Sequence, residues 1–112
     1  MIIKKSQRKK HENAPTCIVY EYGHRDNNIN VAFAEINGRY PENGFSFNEV
    51  CKEIFFVLEG KGKIEINGKE MKLEQGDAVL IQPQQKYFLE GKLKLVISCN
   101  PAWNPNQYKV ID

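Results

Sequence analysis

Cysteine and histidine are the residues whose chemistry most narrows the choices, and both are sparse. The 112-residue chain holds three cysteines, Cys17, Cys51 and Cys99, and two histidines, His11 and His24. The cysteines are widely spaced, no Cys-x-x-Cys pair occurs, and nothing in the spacing suggests a zinc site. Three free, reduced and mostly buried thiols are expected. Between residues 25 and 112 there is no imidazole at all. A thiol nucleophile activated by histidine, or a metal centre rich in imidazole, therefore lacks its usual partners. His11 falls in a basic lead-in and His24 in the polar loop from His24 to Asn28, where a surface position is expected. A buried inert thiol is the expectation for Cys51, with a soft ligand or a nucleophile as the alternative, and His24 could still reach a barrel mouth.

The elements available to position such groups are short. The chain has 41% apolar residues, six Phe, five Tyr and one Trp, enough for a packed interior, and its length suits one domain. Its formal charge of +2 is unevenly placed. Residues 1 to 10 carry Lys4, Lys5, Arg8, Lys9 and Lys10 with no acid, while the remainder holds 11 bases against 14 acids. Residues 1 to 15 thus read as a flexible basic segment, solvated and mobile, and residues 16 to 112 as the single domain. After Pro15, stretches of Val, Ile, Phe and Tyr alternate with Gly, Asn and Pro, and no helical period persists. Strands are predicted over residues 16–22, 29–36, 45–50, 54–58, 63–66, 69–73, 78–81, 86–89 and 93–99. Nine short strands without a helix give an all-β fold, a sandwich or a barrel.

One hairpin can be placed in register. Asn67-Gly68 suits a type I′ turn, whose two central positions both need positive φ. Ile66 then faces Lys69 and Ile64 faces Met71, which gathers Ile64, Ile66, Met71 and Leu73 on one face and Glu65, Glu70 and Lys72 on the other.

The stretch from Glu53 to Phe88 resembles the cupin superfamily, in particular its small single-domain members. The resemblance runs through Glu-Ile-Phe-Phe-Val-Leu-Glu-Gly at 53 to 60, Asn67-Gly68, and Gly76-Asp77 leading through Val79, Leu80 and Ile81 to Pro83. It implies a jelly-roll barrel, the cupin-type double-stranded β-helix. It does not choose a function, because that fold carries many.

Metal-binding cupins place a His-x-His pair on one strand, a Glu at the start of the next, and a third His after the Gly-Asp strand. In this chain Glu53 takes the carboxylate position. The His-x-His positions fall on Phe47 and Glu49, or on Ser46 and Asn48, and the third on Tyr87. With all three imidazoles missing, no metal and no cofactor is expected. If Glu53 faces inward, strand parity sends Phe55 and Val57 inward, and Glu49 and Cys51 too unless a bulge intervenes. Glu53 and Tyr87 are then polar groups in an aromatic-lined pocket. They could act as acid and base, hydrogen-bond a ligand, or simply find structural partners.

Arg39 and Tyr40, in the Gly- and Pro-rich stretch from Asn37 to Gly44, are candidate ligand contacts at the mouth. Trp103 and Tyr108, aromatic residues in an Asn- and Pro-rich C-terminal segment, should anchor it as a lid. The full set of candidate contacts is Arg39, Tyr40, Phe47, Asn48, Glu49, Cys51, Phe55 and Trp103, with Glu53 and Tyr87 as catalytic candidates.

The expected function is binding of a small polar molecule, sugar-like or a small organic acid, without the usual transition metal. The alternatives are a metal-independent sugar or keto-acid isomerase or epimerase, and a weakly metal-dependent cupin enzyme. The resemblance implies a homodimer. The basic segment has no aromatic to stack on bases, so no specific nucleic acid is expected as a partner. No apolar run approaches the ~20 residues of a membrane helix, and a cytoplasmic domain without a membrane partner is the expectation.

Overall fold

The computed structural model describes all 112 residues. Nine strands form one curled sheet: β1 (Lys9–Ala14), β2 (Cys17–Glu21), β3 (Asn30–Tyr40), β4 (Phe45–Asn48), β5 (Lys52–Ile66), β6 (Lys69–Glu74), β7 (Ala78–Ile81), β8 (Tyr87–Asn100) and β9 (Tyr108–Ile111). The spatial order is β1-β2-β3-β8-β4-β9, and β8 also pairs with β5, which carries β6 and β7. All the pairings are antiparallel. The all-β, jelly-roll expectation holds.

Several boundaries differ from the sequence reading, each for a physical reason. Residues 54–58 and 63–66 are one strand, β5. Gly60 and Gly62, which look like punctuation, sit where β5 crosses β8 too closely for side chains. A Cβ on Gly62 would run into the Glu90 carbonyl, and one on Gly91 into the Gly62 backbone. A register shift between Val57 and Glu59 also resets parity, so Glu53, Phe55 and Val57 face inward before it and Ile64 after it. Residues 86–89 and 93–99 likewise join in β8.

Two strands were absent from the prediction. β9 is a four-residue edge strand beside β4. β1 lies within the lead-in expected to be mobile and pairs with β2 from Lys9↔Glu21 to Ala14↔Cys17. Its residues are nearly all exposed, so it carries no hydrophobic alternation to read. Arg8 precedes it, stacked 4.1 Å over the Tyr20 ring.

The predicted hairpin forms in its predicted register, Ile66↔Lys69 and Ile64↔Met71. Asn67 and Gly68 have φ of 48° and 86°, as a type I′ turn requires. Ile64 and Leu73 enter a core with Val57, Ile81, Leu93 and Leu95, of which Val57, Ile64, Ile81 and Leu95 are fully buried. No helix is long and apolar enough to cross a membrane.

Candidate functional site

A cavity of about 250 Å³ lies inside the curl of the sheet. Alternation on the long strands builds its walls: Val19 from β2, Ala32, Ala34 and Ile36 from β3, Phe55 from β5, and Leu89, Leu95 and Ile97 from β8 all point into it. The two alanines leave space that larger residues would fill. Asn13, Gly23 and the half-buried Glu21 and His24 line its more exposed part. Ala102, Trp103 and Tyr108 cover it from the C-terminal segment.

Glu53, from the start of β5, is the buried charge-bearing group of the wall, at 6% exposure. Asn48 Nδ2 donates to its Oε1 at 2.5 Å, and the Cys99 thiol donates to its Oε2 at 3.1 Å. The orientation of the Asn48 amide is fixed from behind, because its Oδ1 accepts from Trp103 Nε1 at 3.2 Å and from Gln107 Nε2 at 2.8 Å. Gln107 in turn accepts at Oε1 from the backbone N–H groups of Val50 and Cys51, at 3.2 and 3.1 Å. One continuous network therefore runs from the C-terminal segment through Asn48 to the Glu53 carboxyl.

A second group of hydroxyls stands on the same wall. The Tyr108 hydroxyl is shared between Ser46 Oγ at 2.5 Å and the Tyr40 hydroxyl at 2.8 Å. Tyr87, opposite Ser46 in the ladder, packs edge-on against Phe55 with centroids 5.6 Å apart. Tyr87 is 3% exposed, and its hydroxyl is engaged by no other protein group, which leaves it to the cavity.

Burial dominates the acid–base character of these groups. It raises the Glu53 carboxyl above its ordinary value, against the opposing hydrogen bonds from Cys99 and Asn48. It raises Tyr87 well above the usual phenol range, and the negative charge of Glu53 adds to this. Tyr40 and Tyr108 are raised as well, again chiefly by burial. Burial pushes the Cys17 thiol up to about 12, and it raises Cys51 and Cys99, with the Glu53 charge as a second cause in both. The wall is thus a set of neutral hydroxyls and thiols around one carboxyl that resists ionisation.

Residues 38–90 match the family model of the cupin domain. Solved structures agree over nearly the whole chain. Pac13, described as a unique nucleoside dehydratase, superposes with a TM-score of 0.90 at 16% identity, covering 99% of this chain and 90% of its own. Streptomyces PAC13 variants have also been solved with uridine. An RmlC-like cupin from Shewanella frigidimarina superposes at 0.73 with 14% identity, covering 88% of each chain. Ectoine synthase from P. lautus does so at 0.68 with 14% identity, covering 89% of this chain and 79% of its own. Just under half of the chain thus matches a cupin domain, and the chain as a whole has the cupin fold. At such identities the likeness to solved structures is one of fold, and no curated protein matches the sequence.

Within this fold the predicted site residues separate into two groups. Glu53, Tyr87, Tyr40, Phe55 and Trp103 meet at the cavity, with Asn48 directly behind Glu53. Arg39, Phe47, Glu49 and Cys51 do not line it. Arg39 holds its own loop instead, donating from Nη1 to the Pro41 carbonyl at 2.7 Å and from Nη2 to Gly44 at 3.0 Å while lying 3.9 Å over the Phe88 ring. On β4 the buried residues are Ser46 and Asn48, so Phe47 faces outward. The inward residues are even-numbered on β4 and odd-numbered at the start of β5, so alternation does not carry back from Glu53 across the 49–51 connection; Glu49 is exposed, 3.8 Å from Lys109. Cys51 is buried, but its thiol donates to the Pro101 carbonyl at 3.3 Å.

Sequence reasoning also missed contributors. Gln107 gave no signal. His24, expected at the surface, reaches the cavity because the loop after β2 folds over its edge. Cys17 and Cys99 line the wall through the same alternation that placed Phe55, a signal that was available.

The positions where a cupin carries its imidazoles do not fit a transition-metal centre. Asn48 spends Oδ1 on Trp103 and Gln107 and turns its Nδ2 toward Glu53, so it has no lone pair to offer. Ser46 is committed to Tyr108. No three of His, Cys, Asp and Glu converge anywhere in the molecule.

Proposed function

We propose that this cupin binds one small, polar, hydroxyl-bearing molecule inside its barrel, and does so without a transition metal. The observation that carries the reading is the pairing of the Glu53 carboxyl, held by Asn48 and Cys99, with the unengaged Tyr87 hydroxyl in an otherwise apolar cavity. Apolar walls with a few fixed polar groups are the usual make-up of a small-molecule site. A volume of about 250 Å³ suits a single sugar or a nucleoside better than anything larger. The binding of uridine by a protein of the same fold supports that size class. A thermal-shift and calorimetric panel of monosaccharides and nucleosides, uridine among them, tests the reading. Saturable binding lost in Tyr87→Phe and Glu53→Ala is expected. Silence across the panel, or binding that both variants retain, would reject it. Metal independence is checked by repeating the titration after chelation, with unchanged affinity expected.

A second reading has a specific observation in its favour. Burial keeps Glu53 protonated to higher pH than an exposed carboxyl, which suits a general acid beside a sugar or keto-acid carbonyl, with Tyr87 as its partner in proton transfer. Isomerase or epimerase activity would then follow. It is tested by turnover of the bound ligand, which Glu53→Gln should abolish without loss of fold.

Self-association is proposed as well, through the outer face of β5. Ile54, Phe56 and Leu58 are 40 to 48% exposed there, and Leu80 of β7, opposite Ile54, is 49% exposed. A contiguous apolar face of this kind suits a second copy. Light scattering on the wild type and on Phe56→Lys is the test: a dimer that the variant converts to monomer is expected.

A further inference from the structure

We infer that the cavity selects uncharged ligands and rejects their phosphorylated and carboxylated counterparts, which removes organic acids and sugar phosphates from the candidate ligands. This rests on the binding reading above and names its substrate class.

The charge-bearing groups lining the cavity are Glu21, His24 and Glu53; neither lysine nor arginine is among them. Two of the three are acids. His24 is the one base among them, half-buried on the loop after β2. The cations of the neighbouring elements are engaged elsewhere. Arg39 is tied to two backbone carbonyls and a phenyl ring, Lys86 lies 5.7 Å over the outward-facing Phe47 ring, and Lys109 stands against Glu49 on the surface. An anion entering the barrel loses its hydration, gains no cationic partner and meets a carboxyl, so its desolvation goes uncompensated. Neutral hydroxyl groups meet a matched surface. Each of Tyr40, Tyr87 and Tyr108 both donates and accepts, and the Glu53 carboxyl does so when protonated. The aromatic rings of Phe55, Tyr87 and Trp103 offer apolar faces to a sugar ring or a base.

Matched ligands test this on the intact protein by calorimetry: uridine against uridine 5′-monophosphate, and glucose against glucose 6-phosphate, glucuronate and glucosamine. The neutral member of each set should bind tightest, with the anionic members weaker by about tenfold or more. Any widening of that gap as pH rises and Glu53 ionises should be absent in Glu53→Gln, which removes the acid without supplying a cation. A phosphate or carboxylate derivative that binds as well as its neutral parent, and loses that binding in Tyr87→Phe, would overturn the charge selectivity while leaving a small-molecule site in the barrel. Tighter binding of glucosamine than of glucose would likewise overturn it, in favour of a cationic ligand. Absence of binding by every member of both sets would overturn the binding reading itself, and the selectivity with it.

Discussion

The hairpin end of the barrel and the cavity end share the same two long strands, β5 and β8, yet different forces hold them. Ile64, Leu73 and Leu93 are buried in the hydrophobic core and take no part in the cavity lining. Around Glu53 the same strands meet Asn48, Gln107, Ser46 and Tyr108, and hydrogen bonds between side chains do the joining. The first arrangement lies outside the cavity lining and the second borders it. Polar joints cost desolvation that apolar packing does not, so the contrast marks the cavity end as the part whose shape is specified for something other than stability.

The largest effect expected from dividing the molecule this way is at the hairpin end. Ile64→Ala should destabilise by ~2 to 5 kcal/mol in urea denaturation, through lost burial and the void left behind, while ligand preference stays unchanged. A loss of binding by the folded variant would erase the division between the ends. Next comes Gln107→Ala, which strands the Val50 and Cys51 amides and one acceptor pair of Asn48, for ~1 to 3 kcal/mol and a weakened cavity. Unlike Ile64→Ala, it should lower affinity in the folded protein, and equal effects of the two variants on binding would contradict the comparison.

A smaller effect lies in the pH dependence. Glu53 has a raised folded-state value, so the native protein holds that proton more tightly than the unfolded chain. Its contribution to stability is therefore lost as pH rises from the ordinary carboxylate range through the folded value. Thermal midpoints measured across that window should fall more for wild type than for Glu53→Gln, and parallel curves would show that burial leaves Glu53 unshifted. Least in size is the thiol response. With Cys17 near 12 and Cys51 and Cys99 raised, alkylation at pH 8 should be slow for all three free thiols in the native protein and rapid once it unfolds.

The same division explains what could be read from the sequence. The hairpin end was legible in full, register included, because Asn67-Gly68 and the apolar alternation beside it are local signals that agree. The barrel followed from the run of short strands and from the motif between Glu53 and Phe88. At the cavity end local signals ran out. Glu53 and Tyr87 were reached through the family motif and Phe55 by parity from Glu53, whereas Glu49 was misplaced because that parity was carried back across the 49–51 connection to a strand that buries the opposite set, Ser46 and Asn48. Arg39 looked like a ligand contact because residue type does not show that two carbonyls and Phe88 claim its guanidinium. Gln107 lies 59 residues from Asn48, and no periodicity connects them.

The Asn48 amide also bears on motion. Since it is gripped at one end by Trp103 and Gln107 and grips Glu53 at the other, the C-terminal segment, the 49–51 connection and the Glu53 wall of the cavity are joined by one set of hydrogen bonds and are expected to open together. In native-state hydrogen exchange the Val50 and Cys51 amides and the Trp103 indole should lose protection together, at one free energy below that of global unfolding. Entry to the barrel would then be timed by that local opening and by no separate movement of a loop.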